Sequence, residues 1–189
     1  MAQRPTNASQ SPDQSATTGF RPVGGLIYGT IAFVVSFIVT TAYFFYRVNE
    51  STNGNIGRLL PEEPKALGWP FYNAHRIDIA FSPGSESINY IESFEPLNLL
   101  VFNAILAVVL FLAGYSVATR TNASLSDEAS FVAGASVAVG YVPVLALGTF
   151  AFEISEAGAT AGPALGGSLL IFGGIFAVGA GGVGGFLGG

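Results

Sequence analysis

The chain has no cysteine, one histidine, one lysine, one methionine and one tryptophan in 189 residues, and only 10% of its residues are charged. Without cysteine there is no disulfide framework, no thiolate-bound zinc and no thiol nucleophile. A single histidine excludes any multi-histidine metal site. Lys and Arg number 7 against 12 Asp and Glu, a net charge of -5. No basic footprint for nucleic acid exists. A soluble domain carries about a quarter charged residues, so an ordinary water-soluble fold is excluded as well. Disorder of the whole chain fails because hydrophobic residues make up 50% and the mean hydropathy is +0.54.

What is present is long apolar runs. Residues 1–22 are rich in Ser, Thr, Gln, Asn and Pro without hydrophobic period and read as a disordered tail. A bilayer core needs about 20 apolar residues in a helix. Four stretches qualify, at about 23–46, 97–117, 129–152 and 162–187, within a membrane domain of residues 23–189. The first is too long, and ends in aromatics too bulky, for a cleaved signal peptide. Pro96 falls at the first turn of the second, and Asp127 and Glu128 precede the third. Both suit helix starts. Pro143 inside the third span predicts a kink, since it leaves the Val139 carbonyl without its helical partner. The fourth span is glycine-rich and intrinsically a poor helix.

Residues 47–95 form a long loop with its own patterning. Pro61-Glu62-Glu63 reads as a helix start. Leu67, Trp69, Phe71 and Tyr72 predict a short helix or turn lying at the bilayer–water boundary, with Pro70 limiting its length. Alternation through Ile77, Ile79 and Phe81, the turn residues 82–85, and Ile88 and Tyr90 predict a small hairpin that needs support from the aromatic segment or the bundle. The fold class is therefore all-α: a four-helix transmembrane bundle with a small loop cap containing a short hairpin.

The string Gly68-Trp69-Pro70-Phe71-Tyr72-Asn73-Ala74-His75, between a first span and three later ones, resembles small multi-span membrane proteins of halophilic archaea. These have no assigned activity, so the resemblance implies a location and not a mechanism. Acidic, lysine-poor composition fits a high-salt cytoplasm independently. Four spans put both termini on one side. The charges flanking the spans sum to zero on that side and to -5 on the long-loop side, which favours cytoplasmic termini and a multi-pass protein of the cell membrane. The Arg and Lys counts alone do not separate the two sides.

Six residues stand out. His75 can titrate near neutral pH, with Asn73, Arg76 and Asp78 as nearby partners, or serve as a structural histidine bonded to the loop. Trp69 and Tyr72 are interface anchors. Asn103, deep in the second span, can line a pathway or hydrogen-bond across helices. Gly181 and Gly185, spaced by four like Gly162 and Gly166, clear a helix face for close packing. The first span repeats the device with Gly25, Gly29, Ala32, Ser36 and Thr40, and the third with Ser130, Gly134 and Ala138. The run Gly179 to Gly184 matches G-x-G-x-x-G but has no strand before it and no acid after it, which excludes the dinucleotide reading. Glu153 and Glu156 would share a helical face as a solvated turn or a paired-carboxylate site. No ionisable group lies at the centre of a span, and no Ser stands in G-x-S-x-G. The expectation is a non-enzyme without cofactor or metal. Its partners are the lipid bilayer, further copies of itself or other membrane subunits, and no nucleic acid. An assembly or scaffold subunit leads. A small transporter or pore, selective through Asn103, Tyr141, Thr149 and carbonyls near Pro143, stays open, as does an envelope receptor or sensor.

Overall fold

The computed structural model describes residues 19–53, 63–95, 97–120 and 125–189. The tail expected at 1–22 therefore lies almost wholly outside the described residues, as do Pro61, Glu62 and Pro96. Four helices are long and apolar enough to cross a membrane. The first, α1, runs Pro22–Thr52. At about 1.5 Å per residue it is some 46 Å long and outreaches a 30 Å hydrocarbon core. Its last turns are polar and carry the Arg47–Glu50 ion pair at 2.5 Å. Asn53 ends it in the left-handed conformation, a C-terminal role that asparagine tolerates.

The loop supplies a 3₁₀ turn at Pro64–Gly68, then α2 at Trp69–Ala74, strands β1 at Ile79–Ser82 and β2 at Ser87–Ile88, and α3 at Tyr90–Ser93. The second span is α4, Leu99–Thr119, whose cap Asn98 accepts the Leu100 N–H at 2.9 Å. The third is α5, Asp127–Ala135, followed by α6, Ala138–Ala151. The span does not break at Pro143, where a kink is expected: Pro143 lies inside α6, and the interruption falls at Ser136–Val137. There the backbone tightens to i→i−3 bonds, from Val137 N–H to Gly134 O and from Val139 N–H to Ser136 O. Ser136 Oγ returns to Val132 O at 2.9 Å and accepts the Arg21 N–H at 3.0 Å. A side chain bonded back onto the ladder is a common cause of such bends.

The fourth span begins later than the sequence indicates. Residues 162–166 are not its first turns. Ala159–Pro163 is strand β4, paired with β3 at Ile154–Glu156 around a turn where Ala157 and Gly158 both have positive φ. This is the backbone demanded by a two-residue hairpin. Gly162 is a strand residue, and Glu153 and Glu156 share no helical face. The membrane helix starts at residues 167–168, passes through a π-turn at Leu169–Gly174 and continues as α7, Ile175–Gly188.

The two hairpins merge into one four-stranded antiparallel sheet, order β2-β1-β4-β3, with Ile79 opposite both Ile88 and Pro163. The predicted hairpin is thus supported by a second hairpin, and Tyr90 starts α3 instead of extending β2. In the bundle, the fourth span packs on α4 and α5, and α1 packs on α6 and α4. The outer faces carry Ile31, Ile38, Val108, Leu112, Leu147, Ile175 and Val183, all at least 49% exposed. The inner face of α1 is Gly25, Gly29, Ala32, Ser36, Thr40, Phe44 and Val48, the small-residue stripe read from the sequence. Apolar outside and small or polar inside is the arrangement lipid solvates.

Candidate functional site

The GWPFYNAH segment is buried inside the protein. Trp69, Phe71, Tyr72, Asn73, Ala74 and His75 are all 0% exposed. The α2 helix dips between the first and third spans from their loop-side end. Trp69 Nε1 donates to the Phe152 carbonyl at 2.9 Å, where the third span ends. The Tyr72 hydroxyl donates to the Leu145 carbonyl at 2.8 Å. His75 reaches Tyr141. Leu145 and Tyr141 precede Phe152 by seven and eleven residues, about 10 and 16 Å along a helix. The segment is therefore re-entrant. Such backbone is tolerated at depth where protein, not lipid, surrounds it. Trp69 and Tyr72, expected as anchors at the bilayer–water boundary, have their rings buried in protein and their polar atoms on span carbonyls, Trp69 at the level where the third span ends.

Phe71 is the hub of the packing. Its ring meets Phe33 at 5.1 Å and Phe37 at 5.6 Å on α1, and His75 at 4.7 Å on its own segment. Gly148 makes room for Tyr72, because a Cβ there would collide with the phenol oxygen. The Lys65 ammonium donates to the Glu153 carbonyl at 2.7 Å, tying the 3₁₀ turn to the same end of the third span.

The segment leaves the bundle through a helix stop of defined geometry. Ile77 N–H bonds Tyr72 O at 3.1 Å and Arg76 N–H bonds Asn73 O at 2.9 Å. With Arg76 at φ 55, this is a Schellman motif, the residue usually glycine being arginine. The two asparagines organise the return. Asn73 Nδ2 donates to Ile77 O at 3.0 Å, and its Oδ1 accepts the Tyr90 N–H at 2.9 Å. Asn89 Oδ1 caps α3 through Ile91 and Glu92 N–H, while its Nδ2 reaches Asn73 O at 3.2 Å. The spacing of Asn89 and Glu92 before an apolar residue is an N-cap signature; that signal was present but passed over.

His75 Nδ1 stands 2.8 Å from the Phe71 carbonyl, and Nε2 stands 2.7 Å from the Tyr141 hydroxyl. A carbonyl only accepts, so Nδ1 carries the proton. Burial holds the imidazole down at about 4, the Phe71 bond pulling the other way, so the ring is neutral and Nε2 accepts from Tyr141. Ser36 of α1 lies beside the Tyr141 hydroxyl, its Oγ outside hydrogen-bond geometry. Of the partners expected for His75, none is used: Asn73 and Asp78 face Asn89, and Arg76 pairs with Glu92 at 3.7 Å. Burial also raises Tyr72 and Tyr90 above the ordinary phenol range.

The remaining candidates lie elsewhere. Asn103 is half-buried on α4, and its Oδ1 has no hydrogen-bond partner; the cross-helix bond expected of that oxygen is not made. Gly181 and Gly185 are buried at a close helix crossing. A Cβ on Gly181 would press on the Gly134 carbonyl, and one on Gly185 on the Ser130 carbonyl. The same crossing brings Gly114 against Gly181. Gly166 and Gly174 have open space beside them and take no part.

Compared with known proteins, residues 1–189 match the model of a family of unknown function. No curated protein and no solved structure matches the chain.

Proposed function

The chain belongs to this family, DUF7978, and we propose that it is a multi-pass protein of the cell membrane, both termini cytoplasmic, acting as a non-enzymatic assembly or scaffold subunit. The observation that carries this reading is the re-entrant α2 segment. Its aromatic rings fill the space between the first and third spans, and its polar atoms are bonded to span carbonyls and to Tyr141. Loop and spans thereby form one piece, and the four-stranded sheet is held as a fixed platform at the bundle end. A fixed platform suits docking of a neighbouring subunit. The acidic sum of the loop side supports placing it outside, in a salt-rich medium. The glycine face of the fourth span does not support assembly between chains, because Gly181 and Gly185 are consumed by packing within this one.

Native-detergent purification tests the proposal. A defined membrane protein should co-purify at fixed stoichiometry and be lost when the sheet is altered, for example by Phe81→Asp. Purification of a bare monomer that moves solute in proteoliposomes would replace it with the second reading, a small transporter or pore. One observation favours that reading: Ser36, Thr40 and Thr41 hydroxyls on α1 and the Asn103 oxygen on α4 are buried without partners, as groups along a water file would be. Asn103→Leu should then slow the flux.

A further inference from the structure

The second and first spans leave a groove between them that opens outward, away from the polar segment just described. Tyr28, Ile31, Ala32 and Val35 form one wall; Val109, Leu112, Ala113 and Ser116 form the other. Both sets recur every three to four residues, so each is one helix face. Ala32 and Ala113 make the floor, and their small size is why a cavity of about 230 Å³ exists. Ile31 and Leu112 are 52% and 55% exposed at its rims. Each wall spans eight residues, about 10 Å along the axis, which matches a stretch of extended hydrocarbon chain.

One end of this groove is positively charged. Arg120 follows Ser116 by four residues on the same face of the helix end, and its guanidinium lies over the Tyr28 ring at 5.3 Å. Among the described residues it has no carboxylate within ion-pair distance. An apolar slot ending in an arginine without a carboxylate partner is the negative image of a lipid with an anionic headgroup. A guanidinium seated on an aromatic ring keeps its N–H donors for phosphate oxygens.

We infer that this groove binds one anionic membrane phospholipid, an acyl chain lying along Ala32 and Ala113 and the phosphate meeting Arg120. The lipid belongs to the leaflet on the side of the N-terminus. The site is separate from α2 and stands whether the protein is a scaffold or a transporter.

Native mass spectrometry of the purified full chain tests this with phosphatidylglycerol and phosphatidylcholine of identical chains. The wild type should retain one phosphatidylglycerol in preference to phosphatidylcholine. Arg120→Gln, an exposed position, should melt at the wild-type temperature and lose roughly fivefold of that preference, the effect of one basic residue at an anionic surface. Ile31→Trp and Leu112→Trp would close the groove from its exposed rims and should lower retention of both lipids. Arg47→Gln, at the other end of α1, should change nothing. Equal retention of the two lipids by the wild type, or a preference that survives loss of Arg120, overturns the proposal. So does a dimer that the tryptophan variants disperse, which would assign the groove to a second copy of the chain.

Discussion

At the residue scale the decisive group is His75. Its folded value of about 4 lies below the ordinary 6.5. Between those two values the unfolded chain takes up a proton that the folded chain refuses. Stability is therefore full above pH 6.5 and declines as pH falls towards 4, by about 3 kcal/mol in all. Denaturation in detergent at pH 7 and pH 4 should show this loss, and His75→Gln should remove most of the difference between the two. Equal pH dependence in both proteins would mean that the ring is not held neutral. Tyr72→Phe is a narrower probe. It deletes the hydroxyl bonded to Leu145 O while keeping the ring, and should lower stability by about 1 kcal/mol. It should also increase protease cutting within residues 63–95, since the bond is one of those that hold the loop in the bundle.

At the element scale, helix ends and helix crossings carry the specificity. The Schellman stop after α2 holds Arg76 in the left-handed region, a cost of about 1 kcal/mol for a residue with a Cβ. Its exposed pair with Glu92 returns little of this. Arg76→Gly should therefore match the wild type or melt slightly higher, whereas Arg76→Val, β-branched, should melt lower. Thermal melts of the two variants would separate backbone strain from any need for the charge. Where the fourth span crosses the third, Gly185→Ala must displace the Ser130 and Gly134 backbone. Its expected cost is about 1–3 kcal/mol, the range for overpacking. Gly179 has nothing within 4 Å of an added Cβ, so Gly179→Ala should be neutral or stabilising through helix propensity. If both alanine variants melted alike, glycine at the crossing would be incidental.

At the scale of the whole molecule the question is sidedness. Because the chain has no cysteine, single cysteines at Ser9 and at Ser85 report topology without background. With the termini cytoplasmic, an impermeant thiol reagent applied to intact cells should label position 85 and spare position 9. The reverse pattern would invert the orientation, and labelling of both would contradict the single crossing between residues 9 and 85. Ser85 serves because it is exposed in the β1–β2 turn, so its labelling reads sidedness and not burial.

The four spans, their approximate limits and the small-residue face of α1 follow from the sequence alone. Lipid demands about 20 apolar residues per helix, and close helix approach demands small side chains, and both demands are local. Residue type marked Trp69 and Tyr72 as rings with a polar tip but did not show that both are buried inside the protein. An aromatic ring with a polar tip is equally content wherever its N–H or O–H finds an acceptor, and here Phe152 and Leu145 supply one from within the bundle. The partner of His75 was illegible for the same reason: Tyr141 is 66 residues away, and no spacing rule connects them. The β3–β4 hairpin took Gly162 and Pro163 from the expected fourth span because Ile79 and its neighbours offered a strand edge to pair with. Glycine-rich sequence is a weak helix with no strong preference of its own, so tertiary pairing decided where the strand ended and the membrane helix began.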